Sequence, residues 1–141
     1  MYILDTDIFT LAYTRRSAIL PLETRISATP PDQLYLSIIT VKESLRGALA
    51  LINRHEANDR IVPAYDLLRI VLEATSKLPI VVFDQECYEI FQGMPPNIKT
   101  RHSQDARIAA TAIRHSLTVV TRNTQHFQNI PGLQYEDWTR P

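Results

Sequence analysis

Cysteine is nearly absent: Cys87 is the only one among 141 residues. No internal disulfide can form, and the chain reads as a protein of a reducing compartment. No histidine or Lys/Arg cluster adjoins Cys87 along the sequence, so it is read as a buried small hydrophobe and not as a reactive thiol. An excess of charge of one sign is also missing. Fifteen basic and fifteen acidic side chains cancel to a formal net charge of +0, which excludes a sequence-independent attraction for nucleic acid or anionic membrane and leaves any polyanion to a local patch. No apolar run approaches the ~20 residues that span a bilayer, and no basic n-region precedes an apolar core. The expectation is a mature, soluble, cytoplasmic protein with no membrane partner. Glycine is scarce at three residues, and neither a Gly-rich phosphate loop nor a Gly-x-Ser-x-Gly elbow is present. The four histidines, His55, His102, His115 and His126, lack zinc-ligand spacing and are expected at the surface or satisfied by neighbours.

What is present suits one domain over residues 1–141, long enough to bury roughly two thirds of its unfolded surface. Short apolar runs at residues 1–4, 34–39, 80–83 and 117–121 read as strands, with 133–135 as a possible last one. Between them, residues 6–14 are short and mixed, and 18–28 read as a helix stopped by Thr29-Pro30-Pro31. Residues 40–54 carry Val41, Leu45, Ala48, Leu49 and Ile52 at helical spacing. Residues 61–76 carry a stripe of Ile61, Tyr65, Leu68 and Leu72, 84–92 end at Gly93-Met94-Pro95-Pro96, and 103–116 are alanine-rich. This alternation predicts an α/β fold, a single-domain three-layer α/β/α sandwich with a mainly parallel central sheet.

Met1 to Leu4 has the pattern of a strand buried on both faces, and it stops at Asp5-Thr6-Asp7. In open parallel sheets ligands sit outside the carboxyl ends of the strands, so Asp5 lies where such a fold places its chemistry. Glu43 reaches the same edge at the start of the helix after the second strand. Thr40-Val41-Lys42-Glu43 also has the form of a capping box, in which Glu43 would bond back to the Thr40 amide; Gly47, one turn further on that face, leaves room for a ligand. Asp105, in the first turn of its helix, suits the helix dipole. It also shares a face with Ile108, Ala109 and Ala112, and a carboxylate turned inward among them needs a partner. Asn123 follows the fourth strand, where a turn residue is equally at home. Asp84 reads as an ordinary N-cap. Three acids and an asparagine at one edge would repel one another without a cation, and hard oxygen donors suit Mg²⁺ or Mn²⁺.

Four segments, Leu4-Asp5-Thr6-Asp7, Ile39-Thr40-Val41-Lys42-Glu43, Asp105 to Ala112, and Val120-Thr121-Arg122-Asn123 before His126-Phe127, resemble in order and spacing the PIN-domain ribonucleases, and most of all the VapC-like toxins. The resemblance covers essentially the whole chain and implies a PIN-like fold. It maps the family's acids onto Asp5, Glu43 and Asp105 as catalytic metal ligands, and its fourth position, Asp or Asn, onto Asn123, with Thr6 and Thr121 in support. Asp7 stands where many members have Asn or Ser. The implied reaction is Mg²⁺- or Mn²⁺-dependent hydrolysis of RNA phosphodiester bonds, with Asn123 orienting a water or phosphate. Lys99, Arg101, His102 and Arg107 are expected to hold the RNA backbone, and Lys42, Arg46 and Arg122 lie near the other segments. The implied partners are an RNA substrate, a cognate antitoxin protein whose tail covers the site, and a second copy in a homodimer. The helices at 40–54 and 61–76 are the expected contact surfaces.

Two other readings stay open. A catalytically silent PIN-like module binding RNA or protein is compatible with Asn123 and with the neutral net charge. A phosphatase of the haloacid dehalogenase type would use Asp5-x-Asp7, but it calls for Thr or Val where Phe9 stands.

Overall fold

Ile3 and Leu4 have no exposed surface although they are adjacent. Consecutive strand residues point to opposite faces, so the first strand is covered on both sides. The structure, a computed structural model, describes residues 1–14 and 18–141. Five strands form one sheet: β1 (Tyr2–Leu4), β2 (Leu34–Ser37), β3 (Ile80–Val81), β4 (Thr118–Val120) and β5 (Gln134–Glu136). Their order is β3-β2-β1-β4-β5 and every pairing is parallel, so the sheet is wholly parallel where a mainly parallel one was expected. The helices are α1 (Thr6–Phe9), continued by a π-helical turn over Thr10–Thr14, α2 (Leu20–Ala28), α3 (Ile38–Arg54), α4 (Ile61–Thr75), α5 (Gln85–Gln92), α6 (Pro96–Arg101), α7 (Ser103–Arg114) and α8 (Thr124–Phe127). No helix among the described residues is long and apolar enough to cross a membrane.

The alternation along the strands divides the core in two. Ile3 and Val119 pack into a cluster with Phe91, Met94 and the alanines of α7, whereas Leu4, Leu36 and Val120 join Ile8, Phe9, Leu22 and Trp138 in a second. Ala106, Ala109, Ala110 and Ala112 are fully buried together with Ile108 and Thr111, so the buried side of α7 is built mainly of small side chains. The other long helices are less simply read. On α4 the buried positions are Ala64, Val71, Ala74 and Thr75, while Tyr65 and Leu72, half of the expected stripe, are 57% and 53% exposed. Small residues turn inward there because α3 packs against them. The C-terminal segment, nearly silent in sequence, closes the second cluster: Trp138 is buried, meets Tyr2 edge-on, and donates through Nε1 to Glu136.

The helix after β2 starts two residues earlier than its periodicity indicated, at Ile38, because Ser37 is its N-cap and accepts from the Thr40 amide at 2.9 Å. Thr40 to Glu43 is therefore not a capping box, and Glu43 is free of the backbone role it could have had. The Thr40 hydroxyl, in turn, reaches the Leu4 carbonyl at 3.3 Å and ties α3 to the end of β1. Asp84 does cap its helix, accepting from the Cys87 amide at 2.9 Å. Ser37→Ala should cost about 1–2 kcal/mol, since it leaves the Thr40 amide buried and unpaired. The change is to be read as a lower urea midpoint at unchanged slope.

Candidate active site

β1 is the central strand, and the chain leaves it first toward β2 and β3 and later toward β4 and β5 on the other side. Such a reversal opens a crevice at the carboxyl edge. The registers Leu4↔Leu36 and Leu4↔Val120 bring Asp5, Ser37 and Thr121 to that edge as the next residue of each strand.

Asp5 is only 4% exposed. It is the N-cap of α1, its Oδ1 accepting from the Ile8 amide at 2.7 Å, and its own amide donates to the Val120 carbonyl at 3.1 Å. Burial pushes its carboxyl up from 3.8 to about 6; the Thr121 hydroxyl and the Ile8 amide pull it back down, and the charges of Asp7 and Asp105 raise it further. Desolvation of the carboxylate is thus the largest effect, and the field of the neighbouring acids adds to it.

The other acids are held by side chains from distant segments. The Thr6 hydroxyl donates to Glu43 Oε2 at 2.6 Å. His126 Nδ1 lies 2.6 Å from Asp105 Oδ2, and since a carboxylate only accepts, the ring donates. His102 stacks on His126 at 3.6 Å between ring centroids, and with Nδ1–H given to Asp105 the Asn123 side-chain nitrogen donates to His126 Nε2 at 3.3 Å. Asn123 thus joins the site through His126. The Thr121 hydroxyl, fully buried, accepts from the Asn123 amide at 3.0 Å. Glu43, Arg101, His102 and Asp105 line one shallow open depression. Across it Lys42 Nζ donates to Gln104 Oε1 at 2.7 Å, linking α3 to α7. Beside Glu43, Gly47 borders a second cavity of about 270 Å³, and a Cβ on it would meet no atom within 4 Å.

The histidines keep to the expectation of satisfied side chains, His126 being bonded to Asp105, and add ligand atoms to the site. His102, Asp105 and His126 offer ligand atoms within 4.8 Å of one another, so two of the four histidines belong to the site. The only sequence signal for His126 was its place shortly after Asn123. The expected RNA contacts divide. Arg101 is exposed and His102 half-buried in the depression. Lys99 instead donates to the Gln92 carbonyl at 2.8 Å. Arg107 bonds Ser103 and lies over the Phe91 ring at 4.6 Å; two residues along a helix is a turn of about 200°, which puts it on the far side of α7 from Asp105. Arg122 is paired with Asp7, and Arg46 borders an apolar surface of α3.

The donors present fit a hard divalent cation. Glu43 Oε1 and Asp105 Oδ1 have no hydrogen-bond donor among the described residues, while the opposite oxygen of each is anchored. The Asp5 titration makes the electrostatic cost measurable. A raised pKa means that between about pH 4 and 6 the folded chain keeps a proton that the unfolded chain releases, so stability falls as pH rises through that window. About two units correspond to roughly 3 kcal/mol. With chelator present, Asp5→Asn, which preserves the cap, should raise the urea midpoint at about pH 7.5 and leave it little changed at about pH 4. Equal effects at both pH values would refute the assigned burial cost.

Residues 2–133 match the PIN domain family. The chain is 28% identical over 146 residues to "Ribonuclease VapC1" of Haemophilus influenzae (strain R2866), an alignment covering 99% of each. It is 34% identical over 116 residues to "Toxin FitB" of Neisseria gonorrhoeae, covering 76% of this chain and 77% of that one. Among solved structures, VapBC-1 from nontypeable Haemophilus influenzae superposes with a TM-score of 0.74 at 26% identity, covering 99% of this chain and 98% of the other. Its acids gathered at the switch point of a wholly parallel sheet, the chain belongs to the PIN domain family.

Proposed function

We propose that the protein is an endoribonuclease of the VapC type, the toxin of a toxin–antitoxin pair, and that Asp5, Glu43 and Asp105 hold Mg²⁺ or Mn²⁺ at its active site. The observation that carries the reading is the buried Asp5 carboxylate, set between the charges of Asp7 and Asp105 at the carboxyl edge. Three carboxylates whose other oxygens are already positioned by Ile8, Thr6 and His126 make a preorganised oxygen cage. PIN nucleases generally depend on divalent metal, and the residues here are of the kind that supply it. When bound, the cation lowers the pKa of a water and neutralises charge on the scissile phosphate.

The chain's own residues do the rest. Thr6 orients Glu43, and His126, buttressed by the stacked His102, orients Asp105. Arg101 lines the depression and Lys42 is bonded to Gln104 of its lining, so both cations can meet the phosphate backbone. Asn123 orients a water or phosphate oxygen beside His126. A toxin–antitoxin complex from Klebsiella pneumoniae is among the similar solved structures, and this chain offers surfaces for such a partner. Ile38 and Leu49 on α3, with Val62, Tyr65 and Leu72 on α4, are between 41% and 70% exposed, a larger apolar display than scattered single residues. A homodimer and a bound antitoxin would cover them.

With Mg²⁺ or Mn²⁺, antitoxin-free protein should cut a mixed RNA pool into discrete products. EDTA, Asp5→Asn and Asp105→Asn should each reduce cleavage at least about 100-fold in folded protein. Folded wild type that cuts nothing under these conditions would make it a silent binding module, for which Asn123 leaves room. Thr6→Val, which removes only the donor to Glu43, should weaken Mn²⁺ binding about 10–100-fold, measured by calorimetry. Adding antitoxin should slow amide exchange in α3 or α4; unchanged exchange in both would exclude them as its contact.

A further inference from the structure

A second constellation of ligating side chains lies at the other end of α7. Asp84, Cys87 and His115 each offer a ligand atom within 4.8 Å of the other two. Asp105 sits in the first turn of α7 and His115 is its C-cap, about 15 Å apart along the helix axis. The two groups are therefore separate, and nothing in the proposed nuclease site uses the second. Asp84 is already fixed by its capping bond to the Cys87 amide, which holds carboxylate and thiol together at the start of α5. Cys87 is fully buried, its Sγ within reach of the Asp84 carboxylate and the Thr111 hydroxyl and 3.9 Å from the Val82 carbonyl. His115 Nε2 is buried with no hydrogen-bond partner among the described residues. A buried, unpaired ring nitrogen beside a buried thiol is costly in a protein that offers it no donor or acceptor.

We infer that Asp84, Cys87 and His115 form a zinc site, with sulfur, nitrogen and oxygen from the protein and a fourth position open to solvent. The mixed donor set selects against Mg²⁺ and Mn²⁺, which take oxygen, and matches Zn²⁺, for which thiolate, imidazole and carboxylate are all ordinary ligands. A tetrahedral ion with normal Zn²⁺ bond lengths sets its ligands roughly 3.3–3.8 Å apart. Closing from within 4.8 Å thus asks for movement on the order of 1 Å, within reach of side-chain rotation. On binding, the thiol loses its proton to solvent, and thiolate plus carboxylate balance the two charges of the ion. Arg114 lies 2.5 Å from Glu86 and 4.0 Å from Asp84, so Glu86 is its nearer counter-ion and the ion would share Asp84 with it. The ion would clamp the start of α5 to the end of α7, the pair that packs behind Asp105.

The test uses the full chain, reduced and stripped of metal, titrated with Co²⁺ and then Zn²⁺. One equivalent of Co²⁺ should give the ultraviolet thiolate-to-cobalt charge-transfer band, and Zn²⁺ should abolish it. As Cys87 is the chain's only cysteine, that band reports on this site alone. Cys87→Ser should lose it, and His115→Gln should weaken binding by more than the roughly 10–100-fold that outer-shell changes cost. Asp105→Asn should leave the band unchanged. A wild type with no thiolate band, or one whose band His115→Gln leaves intact, overturns the proposal. If Cys87→Ser fails to fold, X-ray absorption at the zinc edge of the wild type decides: one sulfur in the first shell supports the site and none refutes it.

Discussion

The structure turns on one carboxylate that is out of water. Asp5 ends the central strand of the sheet, and burial alone lifts its pKa by more than its hydrogen bonds restore. Several features act to make that position tenable. The Ile8 amide and the start of α1 present donors to it, β4 brings the Thr121 hydroxyl alongside, and the crevice above it is open at the topological switch point. Asp105 and Asp7 work in the opposite direction, since their charges raise the Asp5 pKa further. A chain that brings acids together against their own repulsion stores an electrostatic demand, which the proposed cation would answer.

The other acids follow the same pattern of one anchored oxygen and one free. Thr6 and His126 each contribute a single donor, from positions far from Glu43 and Asp105 in sequence. Little of this geometry depends on large side chains. The buried side of α7, the helix carrying Asp105, is mostly alanine, with Ile108 and Thr111. Bulk is concentrated elsewhere, in Phe9, Phe127 and Trp138, which fill the two cores and leave the carboxyl edge uncrowded.

The outer surface is as informative as the core. α3 packs Ala48 and Ile52 inward and leaves Leu49 half exposed, and α4 turns Ala64 and Ala74 inward while presenting Tyr65 and Leu72. On both helices several large apolar residues remain outside while smaller ones, with Ile52 and Val71, are buried. That division fits a protein that folds alone but works in an assembly, since large side chains contribute most where they are removed from water by a partner.

Much of the fold could be read from local pattern. Short apolar runs marked the strands, helical spacing marked α3, and Asp5 at the end of the first strand, with Glu43 and Asp105 in the early turns of α3 and α7, marked the proposed site, because strand direction and helix start are set by residues near in sequence. The errors came where a nonlocal contact decided. Ser37 took the cap that Thr40 resembled; the α4 stripe faced outward because α3 offered a close-packed surface; Arg107 turned to Phe91 and away from the site. The chain's own sequence determined which residues form the parallel sheet and that Asp5 ends its central strand. Tertiary structure alone decided that His126, 21 residues from Asp105, is its hydrogen-bond donor and that His115 meets Cys87, because no periodicity encodes the distance between side chains carried on different elements.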